Sequence, residues 1–206
     1  LKIFPLACGI GLSSQANASL VTLQSLDINR SFDYSDGFKT YWNANATGLN
    51  APDVFEVDAF ENIRSGGDNF NLLTIEFDLK STSLFNVFAG LDAHYGAEIY
   101  INDALEYKDL WWSNNWSHKS VVELENTVLS AGKNVVNLFW AESCCNGPNT
   151  VRFSFNNAEP VYLSSSSLVS AITAAPIANS IALVGLGLMG LIGLGNRRKA
   201  KPLRKA

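Results

Sequence analysis

Leu73-Thr74-Ile75-Glu76-Phe77-Asp78-Leu79-Lys80, read "LTIEFDLK", alternates along its whole length: Leu73, Ile75, Phe77 and Leu79 fall on one side of an extended chain, Thr74, Glu76, Asp78 and Lys80 on the other. Successive strand side chains point to opposite faces, so this stretch predicts an antiparallel strand with one face on a core and one in water. The same signature recurs outward from it, in short runs rich in Val, Ile, Phe, Tyr and Thr between turn clusters. Strands are expected at 20–26, 38–43, 54–62, 72–79, 84–89, 98–102, 120–125, 135–142 and 150–156. No stretch before residue 165 sustains an amphipathic helix of useful length. The expected fold class is all-β, a two-sheet antiparallel sandwich over residues 19–160, with a jelly roll as the preferred version.

The two ends read differently from this middle. Residues 1–18, "LKIFPLACGIGLSSQANA", order a basic residue (Lys2), an apolar run and Ala16-Asn17-Ala18, which is the pattern of a secretory signal cleaved after Ala18. Cys8 sits in "PLAC", a partial imitation of a lipid-attachment site, and leaves with the signal unless it is lipidated. From Ser164, "SSSSLVSAIT" reads as low-complexity chain, so 161–176 is expected to be a Ser/Ala-rich linker holding the domain clear of a membrane. Residues 177–195 carry no charge, close to the roughly 20 residues that cross a bilayer core as a helix. The segment 196–206 adds six basic residues, Arg197 and Arg198 among them, and no acid. Such a tail stays in the cytoplasm and places the rest of the chain outside.

Charge narrows the function classes. Setting aside Lys2 and the basic tail leaves 8 basic residues against all 19 acids, a net charge of −11. A surface of that sign repels phosphate backbones, so nucleic acid is not an expected partner.

Three sets of residues carry family resemblances. The small stretch Ala174-Ala175-Pro176, the Leu/Gly-rich segment and the Arg-Arg-Lys end resemble the PEP-CTERM sorting signal, in a version with one proline and no glutamate. That resemblance implies an exosortase-type sorting peptidase as partner, with Pro176, Arg197 and Arg198 in the signal. "AEIYIND" followed by "LSAGKNVVNLFWAE" is similar to the galactose-binding-like jelly rolls, with Gly132 able to supply a positive φ at the turn. With Cys144-Cys145-Asn146-Gly147 added, the chain resembles the Cys-Cys-x-Gly group of PEP-CTERM proteins, which implies a secreted or surface protein.

If the chain is exported, Cys144 and Cys145 mature where disulfides persist. A bridge between neighbours would be strained, because adjacent Cα atoms are only about 3.8 Å apart. Four readings stay open: a vicinal disulfide stiffening "CCNGP", a bridge to another chain, metal-binding or redox thiols, and two reduced cysteines in a loop. Asn146-Gly147-Pro148 is turn chemistry, so the pair is expected at a strand-to-strand corner where binding sites are built.

"DLWWSNNWSHK" places Trp111, Trp112 and Trp116 beside amides, the combination a sugar ring takes by stacking and hydroxyl hydrogen bonds. Trp111, Trp112, Trp116 and Asn146 are therefore the candidate ligand-binding residues, for carbohydrate or exopolysaccharide. Asp33 and Asp36, and Asp68 and Asn69, offer oxygens of the kind calcium takes, without EF-hand spacing; no cofactor or metal site is expected beyond that. No nucleophile elbow, zinc helix or phosphate loop is present, and the chain is read as non-enzymatic. Two alternatives remain: a cysteine-cross-linked matrix component, and a glycoside hydrolase should Glu98 and Glu142 face one another across a groove.

Overall fold

The computed structural model describes residues 19–28, 33–47, 52–109, 121–143 and 146–174. Along the chain run β1 (Leu20–Asp27), α1 (Phe38–Asn45), β2 (Asp53–Glu56), β3 (Asn69–Leu79), β4 (Ser83–Gly90), β5 (Gly96–Ile101), β6 (Ala104–Asp109), β7 (Val122–Leu129), β8 (Gly132–Glu142), β9 (Thr150–Phe155), β10 (Val161–Tyr162) and α2 (Ser165–Ala174). Among the described residues ten strands form two antiparallel sheets, in the orders β2-β1-β3-β8-β5-β6 and β10-β9-β4-β7. The expected all-β sandwich is what the described residues form.

The alternating stretch does what its pattern requires. Leu73, Ile75, Phe77 and Leu79 are buried in the core between the sheets, where Val136, Leu138 and Trp140 of β8 and Phe85, Phe153 and Phe155 of the second sheet meet them. Burial of each such side chain stabilises by about 1.5–3 kcal/mol. The first part of β3 behaves differently, since Asn69 to Leu72 are buried on both faces. Its outer face lies under α1, where Phe70 and Leu72 join Phe38, Trp42, Phe139 and Ala141 in a second apolar cluster. A sheet covered on both sides loses its alternation.

Three expectations are corrected here. Residues 38–43, read as a strand, form α1, because Phe38 and Trp42 stand four apart and both pack on Phe70. That spacing satisfies a strand period of two and a helix period of 3.6 equally. Residues 54–62, read as one strand, pair only through Glu56; the chain then crosses the edge of the sandwich, where Phe60 N donates to Leu163 O and Val151 N to Phe60 O. Over its described residues, 161–174, the expected linker is in fact β10 and α2. Ser164 and Ser167 cap one another reciprocally, each N–H donating to the other's Oγ at 2.9 Å, and Leu168 is fully buried in the core. β6 and β10, which sequence reading passed over, are short edge strands with exposed faces. Among the described residues no helix is long and apolar enough to cross a membrane, and 177–195 lie outside them.

Strand directions give the sandwich two unlike ends. At one end the connections are tight: 80–82 between β3 and β4, Asn102-Asp103 between β5 and β6, 130–131 between β7 and β8, and 156–160 between β9 and β10. Asn102 and Asp103 both have positive φ, 48° and 69°, the backbone of a two-residue hairpin. Gly132 takes φ 102° as expected, and Asn134 Nδ2 donates back to the carbonyls of Ser130 and Gly132. At the opposite end lie the strand ends that flank the three longest connections, 28–52, 110–121 and 143–149, together with 91–95 and the last part of 57–68. Register confirms the grouping, since Asn69 faces Glu142, Gly96 faces Ala141, Ala97 faces Asp109, Ala89 faces Val122 and Gly90 faces Thr150. β1 begins at the tight-turn end, and α2 runs back to it, its Ala171 and Ala174 sharing a cleft with Asn156 and Ala158. The described chain therefore enters and leaves at one end and displays its loops at the other.

Candidate functional site

The loop end is held by a network of asparagines with few charges. Ile63 and Asn149 exchange main-chain hydrogen bonds at 2.9 and 2.7 Å, tying the 57–68 crossover to the 143–149 corner. Asn149, 1% exposed, then accepts from Asp92 N on Oδ1 at 2.7 Å and donates from Nδ2 to Ile63 O. Asp92 in turn accepts from Gly147 N through its carboxylate. Deeper in, Asn71 Nδ2 donates to Asn69 Oδ1, Ser25 Oγ to Asn71 Oδ1, and Asn69 Nδ2 to Ser65 O. Buried amides so paired are satisfied, and they fix the loops against one another.

Asn146 belongs to this frame. It sits at φ 44°, a left-handed backbone that asparagine tolerates, accepts from Gly66 N on Oδ1 at 2.9 Å, and accepts on its main-chain oxygen from Arg64 Nη1. The corner expected around "CCNGP" is thus present, between β8 and β9 at the loop end, and Asn146 fastens it to residues 64–66. Cys144 and Cys145 lie outside the described residues, as do Trp111, Trp112 and Trp116. The strands bracketing both segments nevertheless end at the loop end, β6 and β8 on the first sheet, β7 and β9 on the second. Pro176, Arg197 and Arg198 also lie outside the described residues.

The carboxylates separate by role. Glu98 is buried beside Phe139 on the outer face of the first sheet, under α1, while Glu142 lies on the face that carries Trp140 into the core. Strand neighbours on opposite faces cannot flank one substrate, so the facing pair a hydrolase would need is not formed by these two residues. Glu98 instead anchors α1. Its Oε2 accepts from Phe38 N at 3.0 Å, Lys39 N at 3.4 Å and Tyr100 Oη at 3.0 Å, and its Oε1 pairs with Lys108 at 2.9 Å. Gly37, at the cap position, brings no side chain of its own, so the carboxylate of a distant strand supplies the missing acceptor for the helix N-terminus. Burial, reinforced by the hydrogen bond to Glu98 and its charge, pushes the Tyr100 phenol up to about 12.

Among the oxygens considered for calcium, Asp33 Oδ1 accepts from Ser35 N, which lowers its carboxyl from the ordinary value and makes an Asx-type turn. Asn69 points inward to Ser65 and Asn71, while Asp68 has φ 54° and offers its main-chain oxygen to Ile28 N. Among the described residues no three His, Cys, Asp or Glu side chains gather as a metal site.

Beside the network lies a feature that sequence reading missed, a cleft of about 370 Å³ between β2 and the 57–65 crossover, lined by Leu23, Phe55, Val57, Asp58, Arg64 and Ser65 among others. Phe55 is 50% exposed although it sits opposite Leu23, which is buried. Nothing in "DVFEVDAF" marks it, because the run reads as ordinary strand.

No family model and no curated protein matches this chain. Among solved structures it is similar to a PA14 sugar-binding domain from an RTX adhesin, with 11% identity, TM-score 0.44 and coverage of 72% of this chain and 97% of that one. It is also similar to the A domain of epithelial adhesin 9 from Candida glabrata in complex with Galβ1-4GlcNAc, with 10% identity, TM-score 0.47 and coverage of 74% and 94%. The PA14 domain of the antifreeze protein MpAFP gives 14% identity, TM-score 0.41 and coverage of 71% and 87%. Similarity at these levels is too coarse to carry a ligand or a residue's role across.

Proposed function

We propose that this chain is an exported, C-terminally sorted surface or matrix protein, without enzymatic activity, whose sandwich binds polysaccharide through its loop end. Trp111, Trp112 and Trp116 supply the stacking surfaces in this reading, next to the corner built around Cys144, Cys145 and Asn146. The observation that carries it is the polarity of the sandwich. The strands that bracket 28–52, 110–121 and 143–149, the last two singled out in sequence, all break off at one end, while the described chain enters and leaves at the other. Binding residues concentrate on loops held by a rigid scaffold, and the asparagine network provides that rigidity.

Sorting completes the proposal. With 177–195 as a membrane-spanning helix and Arg197 and Arg198 on its inner side, the chain that leaves α2 at the tight-turn end leads toward the bilayer. The loop end then faces away from the membrane, where an extracellular polymer would meet it. An exosortase-type peptidase cutting near Pro176 would release or transfer the same domain.

Isothermal titration of the exported protein against exopolysaccharide fractions tests the binding. A saturable heat that falls for Trp116→Ala is expected; no binding by any fraction, or binding unchanged by Trp116→Ala and Cys145→Ser together, overturns it. Intact mass of the exported protein tests the sorting, with termini after Ala18 and near Pro176 expected.

A further inference from the structure

The cleft between β2 and the 57–65 crossover has a composition that selects one ligand chemistry. Its volume, about 370 Å³, lies in the range of small-molecule sites. Part of its lining is apolar, the buried Leu23 and Val57 and the half-exposed ring of Phe55. An exposed aromatic on an edge strand, facing into a concavity, offers a flat stacking surface. The rest of the lining includes polar groups of mixed kind: the exposed carboxylate of Asp58 accepts, the Arg64 guanidinium donates, and the Ser65 hydroxyl does both. Asp58 and Arg64 form no ion pair with each other, so each keeps hydrogen-bonding capacity for a third group.

That combination discriminates among ligand classes. A phosphate or carboxylate would meet Arg64 but also Asp58, and the acidic chain around it. An amine would meet the reverse. A wholly apolar ligand would desolvate both charges without compensation. A neutral polyhydroxylated ring satisfies all of it, with C–H faces for Phe55 and hydroxyls that both donate and accept.

We propose that this cleft is a binding subsite for a neutral saccharide unit, with Phe55 as the stacking platform and Asp58, Arg64 and Ser65 as hydroxyl partners. This rests on the carbohydrate reading above and deepens it. Arg64 already holds the main-chain oxygen of Asn146, so the cleft adjoins the β8–β9 corner. A chain with one sugar seated in the cleft would reach that corner with its next units, so the proposed ligand is a polymer of neutral units and not a single terminal sugar.

The test uses the full-length exported protein and three neutral polysaccharides, galactan, dextran and xylan, together with their hexasaccharides and monosaccharides. Affinity is measured by titration calorimetry for wild type, Phe55→Ala, Asp58→Ala and Trp116→Ala. Phe55 and Asp58 are solvent-facing, so both variants should fold, and unchanged thermal unfolding checks this. At least one hexasaccharide should bind more tightly than its monosaccharide, with Phe55→Ala and Asp58→Ala each weakening it about tenfold. If wild type binds and Trp116→Ala weakens binding, but Phe55→Ala and Asp58→Ala stay within about twofold, the cleft is not a subsite and the loop-end reading stands. If wild type binds an acidic polymer such as alginate, titrated alongside, more tightly than any neutral one, the neutral assignment is overturned. If wild type binds none of these polymers, the subsite and the carbohydrate reading fall together.

Discussion

Replacing Glu98 should undo α1 before it undoes the sandwich. The carboxylate is 3% exposed and serves four donors, so Glu98→Ala strands each of them differently. Lys108 is 45% exposed and turns back to water, which limits its share to about 1 kcal/mol or less. Phe38 N is buried at 3.0 Å from the carboxylate, and losing a hydrogen bond to a charged acceptor there costs about 1.5–3 kcal/mol. Lys39 N, at 3.4 Å and part-buried, adds little, and Tyr100 Oη, also part-buried, adds about 1 kcal/mol. The sum is about 4 kcal/mol for Glu98→Ala, and about 2 kcal/mol for Glu98→Gln, which keeps one acceptor oxygen. For a domain of this size the alanine variant should melt about 12 °C lower. Urea unfolding gives the free energies, and hydrogen exchange at Phe38 and Lys39 shows whether the loss is local to the helix. A Glu98→Gln protein within about 0.5 kcal/mol of wild type, with unchanged protection at Phe38, would refute the anchoring argument.

Three further outcomes follow from the same geometry. Tyr100 ionises near 12 in the folded chain and about 10 when unfolded, so the folded state holds this proton more tightly and stability should fall as pH rises from 10 to 12; Tyr100→Phe should flatten that slope, and an unchanged slope in urea titrations at several pH values contradicts it. A methyl group on Gly147 would lie 2.6 Å from Cγ of the buried Asp92, so Gly147→Ala should cost about 1–3 kcal/mol, whereas a neutral result in chemical unfolding would show that the corner yields freely. Leu168→Ala removes the fully buried contact of α2, at a cost of about 2–4 kcal/mol, and should expose 165–174 to limited proteolysis; a protease-resistant variant would show that the helix is held by something else.

How far the sequence foretold this structure depends on where each residue's partners lie. Leu73 to Lys80 could be read because one face of that strand is solvated, so the pattern is written within the strand itself. Phe70 and Leu72 could not, since what covers them is α1, a helix whose Phe38–Trp42 spacing also fits a strand. Glu98 drew notice in sequence only as one acid of a pair with Glu142, and its part in the fold was not legible because the Phe38 amide it accepts from lies 60 residues away. The asparagine frame was invisible for the same cause: Asp92 to Asn149, Arg64 to Asn146 and Asn62 to Thr150 are all long-range pairs. The corner at Asn146 was legible from Asn-Gly-Pro turn chemistry, but not its attachment to Gly66. The gathering of long loops at one end was legible in principle. Antiparallel strands put every second connection on the same side, so the short Asn102-Asp103 and Ser130-Ala131 turns already implied that 91–95, 110–121 and 143–149 share the other. Phe55, Asp58 and Arg64 carry no mutual spacing that marks a cleft, because the crossover alone brings them together.

The proposed polymer recognition places its contacts at the loop end. Hydrogen–deuterium exchange of the full-length protein, with and without the polysaccharide that titration selects, measures this directly. Protection confined to 57–68, 91–96, 110–121 and 143–149, with the tight turns at 80–82, 102–103 and 130–131 unchanged, is the predicted result. Protection centred on those turns or on α2, with the loops exchanging as before, would contradict it.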